Sequence, residues 1–336
     1  MRMARNRIDV HHHVIPPVYL QSLKEAGVDN PIAGVDYPRW TADSDLEVMD
    51  RYGIQTAILS ITAPGVGFTG GQSAARIARQ TNEFMAELIE KYPTRYGGFA
   101  LIPLPDVDAA LAEIDYALGS LGLDGVGLFT HYQSTYLGDP EFDPVFAELV
   151  NRGAVAFVHP TIPPAADQPG FDLPPSLYEF PFETTRVAAN LLYSGTLDRY
   201  PDLKLILSHA GGAVPYLAQR LTYASTIAAS VASREPKDLI GSLRRLYYDT
   251  AMSANPHTLS GLSSFIGTER ILFGSDFPFM PESTTAETVS GLDSFFNDEA
   301  LADINRNNAV ALFPRLSKIQ GDAAVPSSAD HSRTSS

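Results

Sequence analysis

Six of the chain's eight histidines stand at or just past the ends of apolar, β-branched runs. They are His11, His12 and His13 in IDVHHHVIPP, His131 in GLFTHYQ, His159 in AVAFVHP and His209 in LILSHAGG. Side chains alternate faces on an extended strand, so His11 and His13 leave one face together while His12 leaves the other. With His159 and the carboxylate of Asp276 in ILFGSDFP, they make a nitrogen and oxygen donor set suited to zinc, or to manganese or iron if coordination exceeds four. Cysteine is absent, which removes thiolate ligands, a thiol nucleophile and disulfides together. A second ion would need a bridging group beside Thr130 and His131, and GVGLFTHYQ offers neither lysine nor carboxylate, so one ion is expected. His209 is either a fourth imidazole ligand or, as preferred here, an acid/base residue just outside the ligand set. Gly211 and Gly212 would let the following segment start close to a ligand. His131 is either a substrate contact or a local structural histidine, and His257, after Asn255-Pro256, reads as structural.

Residues this far apart in the chain converge only if the fold gathers strand ends. Eight strand-like runs can be read: Arg7–His11, Thr56–Thr62, Tyr96–Ile102, Gly125–Thr130, Ala154–His159, Lys204–His209, Leu246–Thr250 and Arg270–Asp276. Stretches of helical period separate them, which predicts a (β/α)8 TIM-type barrel whose site lies at the strand C-termini. Runs such as ILSIT and LKLILSHA are apolar throughout, as parallel strands covered on both faces should be. The barrel is expected over residues 1–316. Residues 317–336, small and polar and including His331, are expected to form a disordered tail. Between His159 and Glu183 the chain is too rich in proline for a helix interior. That segment reads as a loop, either a surface excursion or a lid carrying Phe171, Tyr178, Phe180 and Phe182 over an apolar pocket.

The 336-residue chain carries 24 Lys plus Arg against 39 Asp plus Glu, a net charge of −15 that repels phosphate backbones and anionic lipid. Nucleic-acid and membrane partners are therefore not expected. No apolar segment follows the basic N-terminus, and a cytoplasmic protein is expected.

The motifs IDVHHHVIPP, VAFVHP, ILSHAGGAVPY and ILFGSDFP, in this order, resemble the decarboxylase branch of the amidohydrolase superfamily, the group that contains aminocarboxymuconate-semialdehyde decarboxylase. Within that branch the chain is similar to the 6-methylsalicylate decarboxylases, from about Ile8 to Leu312. The resemblance implies one divalent metal, zinc or else manganese, on His11, His13, His159 and Asp276, with His209 in an acid/base role. It implies loss of CO2 from a small aromatic acid with an ortho hydroxyl, the proton coming from Asp276 or His209, and a homodimer is expected. Two departures matter: no glutamate follows His209, and Ala228 stands where relatives with a two-carboxylate substrate carry a second arginine. Arg39 in YPRW either meets a single substrate carboxylate or is a solvated loop charge, and Phe180 is expected against the ring. The alternative is a mononuclear hydrolase of a lactone, amide or ester, using the same site to activate water.

Overall fold

The computed structural model describes residues 6–29, 32, 35–164 and 171–319. Eight parallel strands follow chain order: β1 (Arg7–His13), β2 (Ile54–Ser60), β3 (Tyr96–Leu101), β4 (Gly125–Phe129), β5 (Val155–His159), β6 (Lys204–Leu207), β7 (Tyr247–Asp249) and β8 (Ile271–Leu272). The segment after β8 returns to β1. Val10 N–H donates to Phe273 O at 3.0 Å, Asp276 N–H to His11 O at 2.9 Å and His13 N–H to Phe277 O at 2.7 Å. Every expected run thus contributes a strand to a (β/α)8 barrel. The eighth is shorter than its apolar run because Phe273 N–H turns to Ile304 O and the chain beyond bends to close the seam.

Two apolar layers hold the barrel. Inside it, Ile8, Val10, Ile58, Phe99, Val155, Phe157, Ile206 and Leu272 pack together, closed below by Leu312, Phe313, Leu316 and Ile319. Outside it, Leu59, Val126, Leu128, Val158, Leu205 and Leu207 join the layer formed with the helices. Strands buried on both faces lack polar alternation, which is why their runs read as apolar throughout. Packing continues to Ile319, slightly beyond the expected boundary at 316, and residues 320–336, with His331, lie outside the described residues. Among the described residues, no helix is long and apolar enough to cross a membrane.

One irregularity in β1 decides where the site forms. Asp9 pairs with Ala57 and His12 with Leu59, so three steps along β1 span two along β2. Strict alternation would send His11 and His13 to the face opposite Ile8 and Val10. The extra residue of this bulge lets Ile8 and Val10 fill the barrel while His11 and His13 crown it.

Three elements depart from the sequence reading. A helix, α1 (Pro17–Glu25), follows β1, and His131–Tyr132 pairs with Thr135–Tyr136 in a small hairpin. The proline-rich segment becomes helical at Pro175, and α6 (Pro175–Tyr193) runs through Pro181. Pro175 sits in the first turn, where a missing N–H is tolerated. Pro181 frees only the carbonyl of Leu177, itself an exposed residue. Residues 165–170 of the expected lid lie outside the described residues.

Candidate metal centre

At the C-terminal end of the barrel, ligand atoms of His11, His13, His159 and Asp276 all lie within 4.8 Å of one another, and all four residues are buried. His11 Nε2 and His13 Nε2 are 3.2 Å apart. Asp276 Oδ1 lies 3.2 Å from the first and 3.0 Å from the second. The other nitrogen of each ring is already occupied: His11 Nδ1 by Asp249 Oδ2 at 2.7 Å, His13 Nδ1 by Ser60 Oγ at 3.0 Å and His159 Nδ1 by the Pro160 carbonyl at 2.7 Å. A neutral ring that donates Nδ1–H to a carboxylate or carbonyl keeps a lone pair at Nε2. Lone pairs and a carboxylate brought this close are stable around a cation, and such outer partners are the usual companions of metal-bound imidazole. The donor set therefore fits one divalent ion.

The electrostatics agree. Burial opposes charge on His11, yet Asp249 and Asp276 outweigh it and push the ring up to about 10. Burial lowers His13 against the raising hydrogen bond from Asp276. Burial, joined by the neighbouring His13, His11 and His209, holds His159 well below the ordinary histidine value. Burial would raise the Asp276 carboxyl, but His11, His13 and His209 hold it well below the usual carboxylate range. Positive charge is what this cluster calls for, and a proton on His11 or a metal can each supply it.

Two further carboxylates, not singled out from the sequence, build the centre from behind. Asp249, at the end of β7, accepts from His11 through Oδ2, while its Oδ1 accepts His209 N–H at 2.9 Å and Ala251 N–H at 3.0 Å. Asp9 pins β1 to the segment after β8, accepting His11 N–H at 3.1 Å, Ser275 N–H at 3.1 Å and the Ser275 hydroxyl at 2.5 Å. His12 points away from the centre as expected, its Nδ1 3.0 Å from Asp9 Oδ2 and its Nε2 2.8 Å from Asp45 Oδ1 on the helix Ala42–Arg51. An aspartate inside a strand shares the periodicity of any polar residue, so only the position of Asp9 two residues before H-x-H could have signalled its part.

Beside the donors lies a cavity of ≈ 230 Å³, walled by Ile32, Leu177, Phe180, Met252, Phe279 and Met280 and reached by His159, His209 and Asp276. Among the described residues, its lining includes no Lys or Arg. His209 places Nε2 3.6 Å from Asp276 Oδ2, and its buried Nδ1 has no hydrogen-bond partner among the described residues. A Cβ on Gly212, which has φ +60°, would lie 2.0 Å from the Pro181 carbonyl, so glycine there lets α6 descend onto the His209 turn. Phe180 is buried, with its ring centroid 5.9 Å from that of His159. Phe171 and Phe182, expected to face the pocket, are exposed instead. Arg39 is exposed and is not among the cavity's lining residues. His131 lies in the small hairpin. Its ring nitrogens meet the carbonyls of Gln133 at 2.8 Å and Ile162 at 3.0 Å, tying the hairpin to the loop after β5.

A (β/α)8 barrel with this four-residue donor cluster at its strand ends defines the class of metal-site barrel enzymes. The Amidohydrolase family profile matches residues 8–315, and the chain belongs to that family. It is 41% identical over 324 residues to 6-methylsalicylic acid decarboxylase of Penicillium expansum, covering 95% of this chain and 99% of that one. To the 6-methylsalicylic acid decarboxylase of Aspergillus aculeatus it is 39% identical, covering 94% and 98%. Among solved structures it is similar to the dihydroxybenzoic acid decarboxylase of Polaromonas sp. JS666 with bound manganese and the inhibitor 2-nitroresorcinol. That likeness has a TM-score of 0.77 at 25% identity and covers 92% of this chain and 97% of the other.

Proposed function

We propose that the chain is a metal-dependent, non-oxidative decarboxylase of a small aromatic acid with a hydroxyl ortho to its carboxylate, of the 6-methylsalicylate type, releasing CO2 and a phenol. The observation that carries this reading is the cavity: apolar walls, the donor cluster on one side and, among the described residues, no lysine or arginine in its lining to bind a second carboxylate. The names of the relatives point the same way.

In this reading His11, His13, His159 and Asp276 hold one divalent ion, zinc in preference to manganese because three nitrogens and one oxygen suit its four-coordinate habit. When bound, that ion supplies a Lewis acid for the carboxylate and the ortho oxygen. Phe180, Leu177, Met252 and Phe279 clamp the ring and keep water from the charged group that is lost. Proton delivery falls to the His209 and Asp276 pair, since His209 has an unpartnered nitrogen and faces Asp276 through the other. We also infer one catalytic domain, a cytoplasmic setting in keeping with the absence of cysteine, and a homodimer that covers exposed apolar side chains such as Tyr216 and Ile227.

The test is turnover of 6-methylsalicylate and related hydroxybenzoates in D2O by the metal-loaded protein. Matching yields of CO2 and of phenol deuterated at the former carboxyl carbon are expected. Hydrolysis of lactones or amides with no CO2 from any hydroxybenzoate would overturn the reading.

A further inference from the structure

His159 borders a second, smaller void as well as the large cavity. Ile61, Phe99, Leu101, Gly127, Phe129 and Phe157 enclose it within the barrel, leaving ≈ 10 Å³ to the centre of a water-sized molecule, room for one small guest. Among the described residues, the only polar side chain on its wall is that of His159, whose Nδ1 is taken by the Pro160 carbonyl. Water needs two to four polar partners to stay in such a place, and apolar voids remain dry or take up apolar guests.

The void is kept open by a glycine that the backbone does not require. Gly127 lies in the middle of β4 and is partly accessible although Val126 and Leu128 on either side are buried, as a residue facing an internal hole would be. Its φ is not positive, and a Cβ there would come no nearer than 3.6 Å to the Ala100 carbonyl and 3.8 Å to Phe99 Cβ, which is ordinary contact. Gly125, two residues earlier on the same strand face, is different: its Cβ would lie 2.4 Å from the Val155 carbonyl. Close backbone approach explains Gly125. At Gly127 neither close approach nor backbone angle requires glycine, which is otherwise unfavourable inside a strand.

We propose that this void is a binding site for CO2, taking the product as it leaves the ring; the assignment of this guest rests on the decarboxylase reading above. In that reaction the bond between ring carbon and carboxyl carbon breaks and its electron pair stays on the ring carbon. That carbon takes the proton from the His209 and Asp276 pair, and the carboxylate departs as neutral CO2. A small molecule without charge or dipole suits a wall of aromatic rings, and His159 is common to both cavities, so the product has a niche beside its point of release that water does not fill.

The experiment is pressurisation of crystals of the metal-loaded full chain with xenon and, separately, with CO2. Either guest is expected beside Gly127, and Gly127→Val, whose side chain occupies the space, should lose both while keeping its metal. Gly127→Ala, for which there is room, should retain the fold and bind xenon less fully, should the valine variant not fold. An ordered, hydrogen-bonded water in the void, or no xenon there, would overturn the proposal even if CO2 release from hydroxybenzoates is intact. Xenon bound in a protein that releases no CO2 from any hydroxybenzoate would instead fail the decarboxylase reading, and the CO2 assignment with it.

Discussion

Asp249→Asn tests whether the centre is tuned from behind, because the two side chains are nearly the same shape. Both oxygens of Asp249 are acceptors, Oδ2 toward His11 Nδ1 and Oδ1 toward the N–H groups of His209 and Ala251. An asparagine must turn its NH2 toward one side or the other. Facing the two backbone donors, it opposes N–H with N–H. Facing His11, it demands a lone pair at Nδ1 and so moves the ring proton to Nε2, the atom 3.2 Å from His13 Nε2 that a metal would use. Loss of a hydrogen bond to a charged group is worth about 1.5–3 kcal/mol, and a substituted outer partner of a metal-bound histidine typically loses about 10–100-fold in affinity. The two ranges agree, since each tenfold is about 1.4 kcal/mol. Competition titration with a chromogenic chelator should therefore give Kd for zinc raised about 10–100-fold, with near-native circular dichroism. The proton count is a second readout. His11, pushed up to about 10, must release its proton when the ion enters, so wild-type affinity should rise with pH across the neutral range. The asparagine variant, lacking one of the two carboxylates that raise His11, should show a shallower rise. Unchanged affinity and an unchanged pH slope would refute the reasoning.

Three further outcomes follow from the surroundings of the centre. Burial opposes charge on His12, but Asp45 and Asp9 outweigh it and push the ring up to about 10. The folded-state value then lies above the unfolded 6.5, so this stabilisation is complete below pH 6.5 and is lost as pH rises through about 10. The Tm of metal-free protein should fall over that window, and His12→Leu, which strands two buried carboxylates, should lower urea stability by about 3–5 kcal/mol; a Tm independent of pH would count against the clamp. Gly212→Ala should cost about 1–3 kcal/mol for a positive-φ backbone that a side chain rarely adopts and push α6 off the His209 turn, raising KM for the aromatic acid more than it changes metal affinity. Equal KM values would show that α6 is not seated through this contact.

The barrel was legible because its strands are buried on both faces, and ILSIT or LKLILSHA can hardly be anything else in a βα alternation. The donor cluster was legible because H-x-H, VHP and GSDFP each end such a run. Asp249 was not, since a single carboxylate in YYDT carries no spacing signal and acquires its part only when β6 and β1 bring His209 N–H and His11 to it. Nor was the bulge in β1, because the sequence does not show which face each histidine takes relative to Ile8 and Val10. The start of α6 was misplaced because proline counts against a helix locally, whereas its seat over Gly212 is a tertiary contact. For Arg39 and His131 the sequence left two readings open, because residue type alone does not show whether a loop arginine or a strand-end histidine meets a ligand or only its neighbours; in the fold Arg39 is exposed and both ring nitrogens of His131 face carbonyls.

The seam between the first strand and the last also bears on how the protein matures. His13 and Asp276 are 263 residues apart in the chain, and Asp9 grips Ser275 over a longer interval still. During synthesis the H-x-H pair leaves the ribosome early and waits for its carboxylate until nearly the whole barrel has been made. A chain arrested before Ile271 holds three of the four donors and no closed ring. Contacts of such separation make closure a late event in folding, while the entropic penalty of the long loop grows only with the logarithm of its length. An ion that binds only the closed ring stabilises it by mass action. Metal taken up by the finished ring would then add its binding energy to the last contacts of the barrel to form.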